Sequence, residues 1–508
     1  MKKKGPLQIM FLGTGSDAGK SVIAAGFCRI LHRKGYNVAP FKAQNMALNS
    51  FVTMDGKEMG RAQVYQAAAA GLLPDVDMNP VLLKPYGNCK TQVILQGKVL
   101  VNDTAEGYYR MKEQIFTRVM ESYQRLRHRY DTLILEGAGS LTEINLKKSD
   151  IVNMEMARAA GAPVIVVADI DRGGVFAALI GTMKLLTPRE RKLIIGFIIN
   201  KFRGSIDLFT DGIKLIEKLT RRPVFGIVPY FDDINLPEED SVALHSGRKG
   251  RRREGADVRI AVISLPLISN YTDFDPLELE KGVSLWYANT PEEILDASVV
   301  IIPGTKNTIE DLKWLKEAGF IPVLENLSKG GTSLIGICGG YQMLGNEIRD
   351  PYGIESATSR IEGIGFLPIE TVLERNKTLT RVSGRCTLDG IQGEQGKGVP
   401  IDGYEIHMGK TTVFPGTRRP FIIESKEGTE PEYEEGAVSR DNLVWGTYLH
   451  GLFENDLFRE RFLIFHGRRG SSGLSYRAYL DAEFDRLAAY IERNVDVEHI
   501  LKTAERYR

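Results

Sequence analysis

Short runs of apolar, largely β-branched residues recur through the first half of the chain at intervals that helical patterns fill. QIMFLG at 8–13 is followed by Ile23, Gly26, Phe27, Ile30 and Leu31, spaced as on one helix face, and then by NVAPF at 37–41. TLILE at 132–136, PVIVVAD at 163–169, LIIGFIIN at 193–200 and PVFGIVP at 223–229 continue the rhythm. Runs that are apolar throughout, rather than alternating, suit strands of a parallel sheet covered by helices on both faces. The pattern predicts an α/β domain over residues 1–237.

Between Pro237 and Asp257 the apolar periodicity lapses into a charged, glycine-containing stretch, which predicts a linker over 238–257. Its basic cluster, Arg248 to Arg253, reads as a solvated segment. RIAVISL at 259–265, SVVIIPG at 298–304 and TSLIGIC at 332–338 then open a second α/β domain, placed over 258–470. From Ile361 to Phe421 short alternating stretches carry many glycines, and NLVWGTYLHG at 442–451 is again a strand and turn. Phe484, Leu487, Ala488 and Ile491 have helical spacing, so helices are expected over 471–508. No repeat of solenoid period is present.

Composition adds exclusions. The chain has 508 residues, enough for two large or three ordinary domains at roughly 150 residues each. Lys plus Arg number 66 against 65 for Asp plus Glu, which removes the basic balance of a dedicated nucleic-acid binder. Cys28, Cys89, Cys338 and Cys386 lie far apart, so neither a zinc knuckle nor a disulfide framework is written, and a reducing cytoplasm fits best. MKKKGPLQIMFLG leads into a Gly-rich turn rather than a cleavage site and is read as a first strand. The longest other apolar run, Leu193 to Ile199, falls far below the ~18 residues a membrane span needs. Oligomeric state is not written in the sequence.

Two constellations carry candidate chemistry. GTGSDAGKS, Gly13 to Ser21, joins the first strand to the first helix, where backbone N–H groups cradle phosphates. Lys20 reaches the β/γ oxygens in such a loop and Ser21 ligates Mg²⁺, with Gly15, Asp17 and Gly19 in the cradle. The loop is a variant, since Thr14 stands where G-x-x-x-x-G-K-[ST] has glycine. Glu136, ending TLILE at a sheet edge, is the first candidate for the metal and Asp17 the second. Asn200 and Lys201 end another strand on that edge and are candidates for the nucleotide base or for a structural role.

The second constellation centres on Cys338 in GICGGYQMLG, a buried strand that stops at cysteine before two glycines and a short helix. That is the strand-turn-helix form of a nucleophile elbow, where neighbouring N–H groups can hold an oxyanion. A thiolate nucleophile needs a base. Of seven histidines His450, before Gly451, is the best placed, with His407 in GYEIHMG its competitor.

These motifs together resemble the cobyric acid synthase family, glutamine-dependent enzymes of cobalamin biosynthesis, over essentially the whole chain. The first half is similar to dethiobiotin synthetase-like ATPases through GTGSDAGKS, PFKAQNMALNS at 40–50, LILEGAGS at 133–140 and VADIDRGG at 167–174. The second half resembles class I glutamine amidotransferases of the cobyrinate-amidating type through IPGTKNT at 302–308, GICGGYQMLG, GYEIHMG and GTYLHGLFEN at 446–455. The resemblance implies Cys338 as glutaminase nucleophile, His450 as its base, Gln342 as a glutamine contact, and Gly304 and Gly339 as oxyanion donors. It implies ATP and Mg²⁺, a corrinoid acceptor amidated at its b, d, e and g carboxylates, and a path for ammonia. Lys42 is the candidate to neutralise the carboxylate or transferred phosphoryl group, with Gln44, Asn45 and Asp150 as further substrate candidates or turn and cap residues.

One departure matters. Class I enzymes continue the catalytic histidine as H-x-E, whereas this chain has His450-Gly451-Leu452. Either a more distant carboxylate substitutes, Glu454 and Glu405 being candidates, or the pair works as a dyad, and the spacing favours a dyad with Glu454 dispensable. The competing functions are a related amidoligase, such as a cobyrinate a,c-diamide synthase, and a P-loop ATPase carrying a non-catalytic amidotransferase-like domain.

Overall fold

The computed structural model describes residues 6–86, 90–231, 234, 236–237, 250–391, 397–426 and 432–507. Cys89 and most of the expected linker, 238–249, lie outside the described residues. The first half is built on strands β1 (Leu7–Gly13), β2 (Val38–Phe41), β3 (Thr132–Glu136), β4 (Val164–Asp169), β5 (Ile194–Phe202) and β6 (Val224–Pro229). They form one parallel sheet in the order β6-β5-β4-β1-β3-β2, with Met10 beside Val164 and Ile9 beside Ile134.

Alternate residues of these apolar strands serve two cores, which is why both faces of each strand are hydrophobic. Met10, Leu12, Leu133 and Leu135 pack with Tyr123 and Leu126 of helix α3 (Ala105–Arg129). Ile9, Phe11, Ile134 and Val167 face the other way, against Phe27 and Ile30 of α1 (Lys20–Arg33). Leu487 and Ile491 of the helix Tyr476–Asn494 complete that second layer, so the C-terminal helices return to cover the first sheet. Arg29 of α1 pairs with Asp485 at 2.9 Å across this contact. The short helix α2 (Arg61–Ala69) also borders α1. Beside it lies a four-stranded sheet of Gln44–Met46, Val81–Tyr86, Lys90–Leu95 and Lys98–Thr104.

In the second half β7 (Val258–Ile263), β8 (Val283–Ala288), β9 (Val299–Ile302), β10 (Ser333–Ile337) and β13 (Val444–Thr447) run parallel in the order β8-β7-β9-β10-β13. The glycine-rich region becomes a long antiparallel pair, β11 (Ile369–Cys386) and β12 (Val399–Val413), and Tyr404 of β12 pairs with His450. Arg251 to Arg253 are not a free solvated run. They are exposed yet docked on the second domain: the Arg252 guanidinium lies 4.3 Å from the Trp286 ring and pairs with Asp296 at 2.8 Å, and the Arg253 backbone N–H donates to Ser284 Oγ at 2.8 Å. A planar guanidinium stacks on indole, and this recovers for the surface what the charge alone would leave in water.

Candidate active sites

At the carboxyl edge of the first sheet, β1 turns through the glycine loop into α1. Gly19 adopts φ +92°, and a Cβ there would stand 2.1 Å from Asn200 Nδ2, so the residue must be glycine. Asn200 lies behind the loop and donates to the Ala18 carbonyl at 2.9 Å. Lys20 Nζ is curled over the loop, donating to the carbonyls of Gly15 at 3.0 Å and Gly139 at 3.1 Å. Glu136 is the buried hub: its Oε1 accepts from Ser21 Oγ at 2.7 Å and Lys42 Nζ at 2.9 Å, and its Oε2 accepts from Gln66 Nε2 at 2.6 Å. Asp17 lines the same cavity and pairs with Arg172 at 2.8 Å. Lys201 pairs with Asp169 at 2.9 Å.

This edge opens into a cavity of about 1360 Å³. Lys20, Ser21, Lys42, Gln44, Asn45, Glu136, Asp150 and Asn200 all line it, together with Tyr108, Tyr109 and Lys112 of α3. Within it Gln44 accepts from the Tyr108 hydroxyl at 2.5 Å and Asn45 Nδ2 donates to Gln63 at 3.2 Å. Asp150 accepts the backbone N–H groups of Val152, Asn153 and Glu155 at 2.8–3.1 Å, a turn-capping arrangement. Among the described residues no group of three or more His, Cys, Asp or Glu side chains converges as a metal cage. Magnesium does not require one, since it is held by one or two hard oxygens with phosphates and water supplying the rest. The Ser21 hydroxyl and Glu136 carboxylate, already 2.7 Å apart beside Lys20, fit that donor set.

The second site forms where β10 ends. Cys338 has φ +53° and ψ −107°, a conformation a side chain rarely adopts, and it projects the thiol from the turn into the helix Gly339–Met343. Its backbone is fixed by a bond from its N–H to Thr447 O at 2.8 Å. A Cβ placed on Gly304 would lie 3.6 Å from Cys338 Cβ and 3.3 Å from His450 Cε1, so the Gly304 backbone borders both side chains. Gly339 directly follows the thiol. Gln342 sits one turn on, its Oε1 accepting from Thr308 Oγ1 at 3.0 Å and its Nε2 donating to Tyr448 OH at 3.1 Å.

Matches to known families cover both halves. Residues 9–243 match a CobQ/CobB/MinD/ParA nucleotide binding domain, and residues 259–458 match a CobB/CobQ-like glutamine amidotransferase domain. A cobyric acid synthase of Syntrophobacter fumaroxidans is 49% identical over 503 residues, 97% of each chain. One from Moorella thermoacetica is 47% identical, covering 96% of this chain and 95% of its own. The chain belongs to the cobyric acid synthase family.

Within that family setting, the histidine's environment corrects the dyad expectation. His450 Nδ1 lies 2.6 Å from Asp273 Oδ2, and Asp273 Oδ1 accepts the Gly451 N–H at 3.1 Å. Both side chains are almost fully buried. Burial opposes charge on the imidazole, but Asp273 outweighs it and Cys338 adds to the effect, raising the pKa to about 10. Glu454 does not touch the ring; it pairs with Arg61 of the first domain. Glu405 lies with His407 Nε2 at 3.3 Å and Tyr433 OH at 2.7 Å. His407 itself stacks on Tyr448, centroids 3.7 Å apart, with Nδ1 2.7 Å from Gly409 O.

Asp273 escaped the sequence reading because it precedes His450 by 177 positions. A signal existed: SNYTDFDP lies in the segment that leaves the end of β7, at the sheet edge where ligands bind, and its acids are buried. Gln66 was missed for a similar reason, lying in an alanine-rich helix with no motif around it.

Proposed function

We propose that the chain converts the b, d, e and g carboxylates of a cobyrinic acid a,c-diamide-type corrinoid to amides in cobalamin biosynthesis, using ATP and glutamine, as a cytoplasmic enzyme. ATP-dependent amidation linked to a glutamine amidotransferase is the family's activity, and full-length likeness to cobyric acid synthases supports it. The observation that carries the reading is the coexistence of two built sites, the Lys20–Ser21–Glu136 loop and the Cys338–His450–Asp273 cluster.

In the amidotransferase domain the Cys338 thiolate attacks the side-chain amide carbon of glutamine. The His450 imidazolium, held by Asp273, gives its Nε2 proton to the departing ammonia, and water then cleaves the thioester to glutamate. The backbone N–H groups of Gly304 and Gly339 are our candidates to hold the oxyanion, and Gln342 our candidate to contact the glutamine. In the first domain a corrinoid carboxylate takes the γ-phosphoryl group, ADP leaves, and ammonia displaces phosphate from the acyl carbon to give the amide. Lys20 meets the phosphate charge, and Lys42, which lines the same cavity, is our candidate to meet the acceptor carboxylate or the transferred phosphoryl group. Ser21 and Glu136 would hold Mg²⁺, which supplies charge neutralisation of the phosphates. Gln44, Asn45 and Asp150 line the cavity and are our further candidates for contact with the acceptor, Asp150 through the turn it caps.

Mass spectrometry of corrinoid products formed with ATP and glutamine tests this directly. Successive replacement of a carboxyl hydroxyl by an amino group on the diamide acceptor, each step seen as a small fall in mass and the series ending at four, supports the reading; an unchanged acceptor under conditions where glutamine is hydrolysed sinks it.

A further inference from the structure

Helix α2 touches both candidate sites. Near its start Arg61, fully buried, donates from Nε to Tyr65 OH at 3.0 Å and from Nη1 to Tyr404 OH at 3.5 Å, and Nη2 donates to the Glu454 carboxylate. Tyr404 belongs to the amidotransferase domain, and its ring stacks on the His450 imidazole, centroids 5.4 Å apart at 21°. The Tyr404 hydroxyl also donates to Ser50 O and accepts from Asn270 Nδ2, both at 3.3 Å. Asn270 opens the turn that carries Asp273, and its side chain accepts the Ser50 N–H at 3.0 Å. First-domain groups therefore grip both supports of His450.

Five residues along α2, about 8 Å up its axis, Gln66 donates to Glu136 and, at 3.4 Å, to the Ser21 carbonyl. Nucleotide and its metal at the loop would engage the Ser21 hydroxyl and the Glu136 carboxylate, the group that Gln66 holds. A helix of this length moves as a rigid piece, so a shift at Gln66 is felt at Arg61.

We propose that Arg61 is a positioning residue for glutamine hydrolysis, holding Tyr404 against His450, and that α2 makes the hydrolysis rate respond to occupancy of the nucleotide loop. This rests on reading Cys338, His450 and Asp273 as the glutaminase. Arg61 touches no reacting atom. Its effect falls on the orientation of the imidazole, hence on kcat and not on glutamine binding.

Full-length protein and its Arg61→Met, Arg61→Lys and Glu454→Gln variants are compared for glutamate release with and without ATP and magnesium, and for amidation with ammonia as donor. Misplacing a base by a fraction of an ångström predicts a fall in kcat of about tenfold or more for Arg61→Met, with the KM for glutamine and ammonia-supported amidation both within about twofold. Arg61→Lys recovers part of the loss, and the increase that nucleotide produces in the parent disappears from Arg61→Met and shrinks in Glu454→Gln. Parent-like kcat and nucleotide response in Arg61→Met overturn the proposal, as does an equal loss of ammonia-supported amidation. Should Arg61→Met fail to fold, Glu454→Gln decides from the opposite domain, and an unchanged nucleotide response there overturns it. A parent enzyme that releases no glutamate removes the glutaminase reading itself, a result separable from the others.

Discussion

Replacing Asp273 with asparagine removes one charge from the amidotransferase site while keeping the side chain's size. The carboxylate lies 2.6 Å from His450 Nδ1, with Asp273 and His450 side chains 4% and 1% exposed, so solvent screens little of the attraction. The imidazole pKa stands at about 10 against an ordinary 6.5, a difference worth about 5 kcal/mol at 1.36 kcal/mol per unit. Asparagine contributes no charge, and if its Nδ2 faces Nδ1 it sets donor against donor. With Asp273 gone, burial drives the pKa down, so at pH 8 the ring is neutral and no longer stabilises a thiolate on Cys338. Loss of that carboxylate is expected to lower glutamine-hydrolysis kcat by about 10⁴-fold, the fall that follows when a triad aspartate is neutralised. Glutamate release measured from pH 6 to 10 reads this out, the deficit being present at neutral pH and narrowing as the parent imidazole loses its proton toward pH 10. Amidation with external ammonia at the same pH reports whether the fold and the nucleotide site survive. Glutamine turnover within about threefold of the parent, in a protein that still amidates with ammonia, would refute Asp273 as the third member.

Three further outcomes follow from the same structure. Cys338→Ser abolishes amidation from glutamine and retains it from high ammonia, measured as corrinoid amide formed, because the nucleotide cavity belongs to the other domain; loss of both in a folded variant contradicts two separate sites. Lys20→Ala removes amidation from either nitrogen donor while glutamine is still hydrolysed, since the phosphoryl group loses its cation. His466 is partly buried, its ring against Phe462 at 4.6 Å between centroids and its Nε2 shielded from solvent, and this burial lowers its pKa from 6.5 to about 4. The unfolded chain therefore takes up this proton first, and stability present above pH 6.5 is lost as pH falls toward 4, by about 3 kcal/mol in all. Denaturant midpoints of His466→Phe should depend less on pH across that window than those of the parent.

Local pattern was enough for the parallel-sheet frameworks of both halves. A strand buried on two faces must be apolar along its whole length, and β1, β3, β4, β5 and β10 each carry that mark in the residues themselves. The glycine loop and the cysteine elbow were equally legible, since a phosphate cradle and a strained nucleophile turn are made by residues adjacent in the chain. The side sheet was not: its outer strand Lys98–Thr104 is mostly exposed, so no apolar run announces it. Nor was β8, an edge strand of its sheet although most of its residues are buried. Tertiary structure alone decided what stands on His450, because Asp273 is brought there by the order β7-β9-β10-β13 and not by sequence spacing. It also decided that the C-terminal helices cover the first sheet, that Arg252 docks on Trp286, and that Glu454 faces Arg61 instead of the imidazole. Periodicity records how much of a residue is buried, whereas the identity of a partner hundreds of positions away depends on how the sheets are ordered and how the two domains close on each other.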